Sequence, residues 1–193
     1  FKPSADGVLR MTTPAYGKIK IVKSGEDGKL LPGVVFGVYS DSACTKLVTK
    51  LTTGSDGTAT TGDLELSTFY VKEISTVKPY ILSSKVYPVK VRASETIKVD
   101  ISNEAAKGKI NIRKTNADPA MGDYSLAGSV FDIYSGDKKV TSVTVDASGK
   151  GTSEALDLGN YVVKERQASS GFALNKKEYA VTLSYDGQTV PIV

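Results

Sequence analysis

Apolar and polar residues alternate along short stretches of this chain. In Lys18-Ile19-Lys20-Ile21-Val22-Lys23, the residues Ile19, Ile21 and Lys23 share one face of an extended strand, because side chains alternate with period two. The same parity in Phe69-Tyr70-Val71-Lys72-Glu73 carries the inward set Phe69 and Val71 on to Glu73. In Ile97-Lys98-Val99-Asp100-Ile101-Ser102-Asn103, the set Ile97, Val99 and Ile101 runs on to Asn103. A lysine, a glutamate and an asparagine are thus each predicted at the end of a strand, on the face that belongs to the core.

The pattern then repeats. Gly17-Lys18-Ile19-Lys20-Ile21-Val22-Lys23 matches Gly108-Lys109-Ile110-Asn111-Ile112-Arg113-Lys114, and Leu31-Pro32-Gly33-Val34-Val35-Phe36-Gly37-Val38-Tyr39 matches Leu126-Ala127-Gly128-Ser129-Val130-Phe131-Asp132-Ile133-Tyr134. Tyr70-Val71-Lys72-Glu73 likewise pairs with Tyr161-Val162-Val163-Lys164-Glu165. A self-similar period of about ninety residues predicts two homologous domains. They are placed at 17–106 and 107–193, with Glu104-Ala105-Ala106-Lys107 as a short link. Residues 1–16, with Pro3 and Pro14, read as a linker or an added edge segment.

Within each copy the segments are short, β-branched or aromatic, and separated by turn signals. These are Glu26-Asp27-Gly28, Ser55-Asp56-Gly57 and Thr61-Gly62-Asp63 in the first copy, and Ser148-Gly149, Leu158-Gly159-Asn160 and Asp186-Gly187 in the second. Helical periodicity is weak throughout. The expected fold is all-β: two tandem sandwiches of roughly seven strands each.

Composition narrows the chemistry. The chain has 193 residues, no histidine and a single cysteine, Cys44. That excludes a Ser-His-Asp triad, a Cys-His pair, a Cys/His zinc site and an intramolecular disulfide. No cofactor and no metal are expected. The net charge of +4 is spread along strands, with acids between the lysines, so nucleic acid is not an expected partner. No apolar run approaches the roughly 18–20 residues that cross a bilayer, and membrane insertion of this stretch is not expected. Phe1-Lys2-Pro3-Ser4 does not read as a signal peptide.

The three inward polar residues suggest a covalent crosslink. An amine attacks a carboxamide only when unprotonated, and burial in an apolar core disfavours charge, lowering the pKa of a lysine and raising that of a glutamate. A neutral Glu73 would polarise the Asn103 carbonyl and move protons so that ammonia leaves. The product is a Lys23–Asn103 isopeptide bond, formed once, without turnover. The competing readings are a Lys23 that snorkels to solvent, and glutamates that only pair with the lysines as ions.

In the order, spacing and repetition of these blocks, residues 17–193 resemble the Cna B-type (SpaA-like, prealbumin-like) domains of Gram-positive surface adhesins and pilins. The resemblance implies a prealbumin-like, Ig-like sandwich in which a first-strand lysine is joined to a last-strand asparagine, with a buried glutamate as catalyst. These roles map onto Lys23, Asn103 and Glu73, and onto Lys114 and Glu165 in the second copy. There the last strand ends at Val190-Pro191-Ile192-Val193 without an asparagine, and the acceptor is expected one to three residues further on. Asn160 and Asn175 are poor substitutes, because both are expected in turn-like segments. The resemblance implies a structural stalk or minor pilin rather than an enzyme, extracellular and anchored to the cell wall by a signal outside this stretch. Its expected partners are neighbouring domains of the same surface protein. The alternative is a domain that itself binds a host or matrix ligand.

Overall fold

The computed structural model describes residues 15–116 and 124–193; the expected linker over 1–16 lies almost wholly outside them. The chain divides between Glu104 and Ala105 into two compact units. The first contains β1 (Tyr16–Gly25), β2 (Val35–Tyr39), β3 (Leu47–Thr52), β4 (Thr58–Thr60), β5 (Leu64–Glu65), β6 (Thr68–Ser75), β7 (Val86–Lys90) and β8 (Thr96–Asn103). The second repeats the series as β9 (Lys107–Arg113), β10 (Val130–Ser135), β11 (Lys138–Thr144), β12 (Lys150–Thr152), β13 (Leu156–Asp157), β14 (Gly159–Gln167), β15 (Glu178–Leu183) and β16 (Thr189–Ile192).

Each unit is a two-sheet sandwich. In the first, one sheet has the order β3-β2-β6-β7, and the other is built around β1, which pairs with β4, β5 and β8. The second copies this as β11-β10-β14-β15, with β12, β13 and β16 around β9. The sequence predicts about seven strands per unit, and the described residues form eight. The difference is β5 and β13, two residues each, which are too short to show a period and form only against the start of β1 and β9.

The first and last strands of each unit lie side by side and parallel. β8 runs along β1 from Lys18↔Thr96 to Gly25↔Asn103, and β16 runs along β9 from Lys109↔Thr189 to Ile112↔Ile192. Alternation then fills the space between the sheets. Ile19, Ile21, Phe36, Val38, Phe69, Val71 and Ile101 form the centre of the first core, and Ile110, Ile112, Phe131, Ile133, Tyr161, Val163 and Ile192 that of the second. β1 comes so close to the β7–β8 connection that a Cβ on Gly17 would lie 2.2 Å from the Arg92 carbonyl oxygen, so only glycine fits there.

Candidate functional site

Lys23 is the last inward side chain of β1, followed on that face only by Gly25, and its backbone is clamped from two sides. Its N–H donates to the Gly57 carbonyl (2.9 Å), and its carbonyl accepts from Leu31 N–H (2.9 Å). Gly57 reaches this position with φ +66°, and a Cβ there would lie 2.9 Å from the Lys23 carbonyl oxygen. The Ser55-Asp56-Gly57 turn therefore serves to seat the lysine. The lysine side chain is fully buried, at 0% exposure. Its Nζ donates to the Ser24 carbonyl (2.8 Å) and is 3.5 Å from the Ile101 carbonyl. Burial pulls its pKa below the ordinary lysine value, and the charge of Glu73 opposes this in part. A neutral amine has two N–H groups, so both carbonyls can be served while the lone pair stays free.

Glu73 comes from β6, where it pairs with Phe36, and Asn103 ends β8; both are 3% exposed. The Asn103 Nδ2 donates to Glu73 Oε1 at 2.7 Å and to Thr76 Oγ1 at 3.0 Å. Two buried acceptors of this cluster, Glu73 Oε2 and Asn103 Oδ1, have no hydrogen-bond partner among the described residues. Tyr87 from β7 adds a wall, its phenol pushed up by burial and by the charge of Glu73. Beside Asn103 a cavity of about 290 Å³ opens, lined by Leu82, Lys85, Tyr87 and Ser102 among others.

The second unit places Lys114 by the same device. Its N–H donates to the Gly149 carbonyl (2.8 Å), and Gly149, at φ +74°, would carry a Cβ 2.2 Å from the Lys114 carbonyl oxygen. Here, however, the lysine meets the glutamate directly, with Lys114 Nζ 2.7 Å from Glu165 Oε1. Glu165 Oε2 accepts the backbone N–H of Asn175 at 2.7 Å, and the Phe172 ring lies 5.8 Å from the ammonium. A cavity of about 220 Å³ adjoins the pair, lined by Lys114, Glu165, Asn175, Tyr179, Ile192 and Val193 among others.

Neither of the asparagines weighed as substitutes is turned to the lysine. Asn175 Nδ2 donates to the Tyr179 hydroxyl (3.1 Å), and Asn160 Oδ1 accepts from Thr182 Oγ1 (2.9 Å). Asn160 also departs from expectation: it lies in β14, opposite Thr182, rather than in a turn. The Leu158-Gly159-Asn160 signal misleads because Gly159 has φ 158°, an extended conformation that opens the strand.

Several polar residues were missed by the sequence pattern. Thr61 and Ser153 occupy equivalent buried positions and accept the N–H of Ile19 and Ile110 at 3.0 Å. Asp132 on β10 is 3% exposed and accepts from Ser142 Oγ (2.7 Å) and Arg166 Nε (3.2 Å), with Lys139 Nζ at 3.4 Å. Burial works against its charge, but these partners outweigh it and hold the carboxyl below the ordinary aspartate value. Thr76 was missed too. Cys44 sits half-exposed, and among the described residues no group of three or more carboxylates, cysteines or histidines is placed to hold a metal.

Comparison with known proteins gives one consistent answer. The family model described as SpaA, prealbumin-like fold domain, matches twice, over residues 17–105 and 108–193. A solved structure of the Bacillus anthracis TIE protein superposes with a TM-score of 0.79 at 31% identity, covering 92% of this chain and 33% of that one. The trypsin-resistant surface T6 protein of Streptococcus pyogenes serotype M6 is 32% identical over 66 residues, 34% of this chain and 12% of that protein. A C-terminal fragment of the pilus adhesin SpaC from Lactobacillus rhamnosus GG shares the fold, with a TM-score of 0.53 at 15% identity, over 89% of this chain and 82% of that one. The chain thus spans only a minor part of the first two relatives.

Proposed function

The chain belongs, in both of its units, to the SpaA family of prealbumin-like fold domains, and from that premise we propose that it is a structural stalk segment of a Gram-positive surface adhesin or pilin, stiffened by a self-made Lys23–Asn103 isopeptide bond. The observation that carries this reading is the buried Asn103–Glu73 hydrogen bond beside a lysine with no exposure at all.

The reaction balances within the cluster. The neutral Lys23 Nζ attacks the Asn103 Cγ, and the amide carbonyl becomes an oxyanion. The attacking nitrogen gives up a proton to Glu73, which delivers one to Nδ2. The Cγ–Nδ2 bond breaks, ammonia leaves, and one amide replaces another. Folding supplies the proximity, and effective molarities on the order of 10⁵ M or more substitute for turnover machinery. Closing about 80 residues of chain in this way is worth roughly 4–5 kcal/mol in the loop-entropy description.

The second unit has the amine and the carboxylate. Asn103 stands opposite Gly25, two residues beyond Lys23, and Ile192 stands opposite Ile112. Continuing that register, the position equivalent to Asn103 is the third residue after Val193. An asparagine or aspartate at that register position would complete the set with Lys114 and Glu165.

Intact-mass measurement tests the reading. The folded chain should lack one ammonia relative to its sequence, and Lys23→Ala or Glu73→Gln should restore it. A wild-type chain of unmodified mass overturns the proposal.

A further inference from the structure

The residue after β6 has no part in the three-residue scheme, yet it touches the reacting amide. β6 carries a bulge: Phe36 pairs with Glu73, but Val35 pairs with Ser75, so Ile74 is an extra residue in the ladder. The extra residue reverses the parity of everything after it. Thr76, which strict alternation places on the outer face, is turned towards the site, and its Oγ1 lies 3.0 Å from Asn103 Nδ2. Together with Glu73 Oε1 at 2.7 Å, it accounts for both hydrogens of the carboxamide.

From this geometry we infer that Thr76 is a positioning residue for bond formation, holding the Asn103 amide plane for attack by Lys23. The inference rests on the crosslinking reading above. Glu73 Oε1 and Thr76 Oγ1 each accept one Nδ2 hydrogen, which fixes the rotation of the amide about Cβ–Cγ and keeps Nδ2 against the carboxylate that delivers its proton. The second unit has the same bulge, with Phe131 opposite Glu165 and Val130 opposite Gln167, but Ala168 stands where Thr76 would be. Its glutamate is instead held by the Asn175 backbone N–H.

The test follows ammonia loss with time by intact mass, in chains made by cell-free translation. Wild-type conversion is the reference, and its absence overturns the crosslinking reading itself. Given conversion, Thr76→Val and Thr76→Ala should slow it on the order of tenfold to a hundredfold, while Thr76→Ser, which keeps the hydroxyl, should run close to the wild-type rate. A purely structural role is separated by adding each substitution to Lys23→Ala, where no bond forms: the melting temperatures should then agree closely. Wild-type rates in Thr76→Val and Thr76→Ala overturn the inference. So does a Thr76→Ser chain as slow as Thr76→Ala, or a slowing that merely tracks lost stability in the Lys23→Ala background.

Discussion

In the first unit the buried glutamate holds the carboxamide, and in the second it holds the amine. Glu73 accepts from Asn103 and leaves Lys23 to two backbone carbonyls, whereas Glu165 pairs with Lys114 at 2.7 Å. The lysine seat, the bulged strand and the inward glutamate are otherwise repeated. In the first unit the Asn103 amide occupies the glutamate oxygen that the lysine takes in the second, so Lys23 is left desolvated among backbone carbonyls while Lys114 stands in an ion pair.

The comparison breaks most completely at the first site. Glu73→Gln should leave the chain with its full mass and cost the first unit roughly 4–5 kcal/mol in denaturant unfolding, while Glu165→Gln should leave the mass of this chain as in wild type. Asn103→Ala should also prevent the bond, but it should convert the first site into the second: a crystal structure is expected to show Lys23 Nζ moved onto Glu73. A lysine still bound only to carbonyls would contradict the view that the acceptor sets the pairing.

Next comes the ion pair. Lys114→Met strands the Glu165 carboxylate, 1% exposed, and should destabilise the second unit by about 3 kcal/mol. Adding Glu165→Gln should recover much of that loss. If the double variant is no better than the single, the cost lies in packing rather than in an uncompensated charge.

A smaller effect distinguishes the units by pH. Asp132 has its partner position in the first unit filled by Gly37, so only the second carries this buried carboxylate. Its folded pKa lies below 3.8, so the unfolded state binds its proton first as pH falls. The stabilisation is complete above about pH 5 and is lost progressively as pH falls through 3.8 and then through the folded value. Asp132→Asn should flatten that acid dependence in the second unit at a cost of about 1–2 kcal/mol near neutrality, read from melting curves across the range.

The smallest effect concerns Lys23 in the Glu73→Gln chain, where no bond forms and burial alone acts on the amine. Its folded pKa is below 10.5, the unfolded state binds more protons, and stability should rise with pH up to about that value. A flat profile between neutrality and pH 10 would show that the amine stays charged.

Much of this was legible in the sequence because parity and repetition are properties of a strand ladder. Lys23, Glu73 and Asn103 are all buried, as alternation from Ile19, Val71 and Ile101 predicts. The repeat carried the same expectation to Lys114 and Glu165. What was lost has particular causes. Thr76 lies beyond a bulge, and a bulge is a change in pairing that one strand's own pattern does not record. Asp132 is on the outward side of β10, where a lone charge reads as solvated, and it is covered by Arg166 and Lys139 from the two neighbouring strands. The two-residue strands had no period to show.

The parallel pairing of the first and last strands has a mechanical consequence. Because β1 and β8 run in the same direction, the chain enters the unit at one pole and leaves at the opposite one. Tension applied through the backbone therefore slides the two strands along each other, loading the rungs of the ladder together, whereas an antiparallel pair pulled from adjacent ends would open one rung at a time. The proposed Lys23–Asn103 bond, near the exit pole, would carry that load down β1, across and out, leaving the sheet β3-β2-β6-β7 outside the line of force.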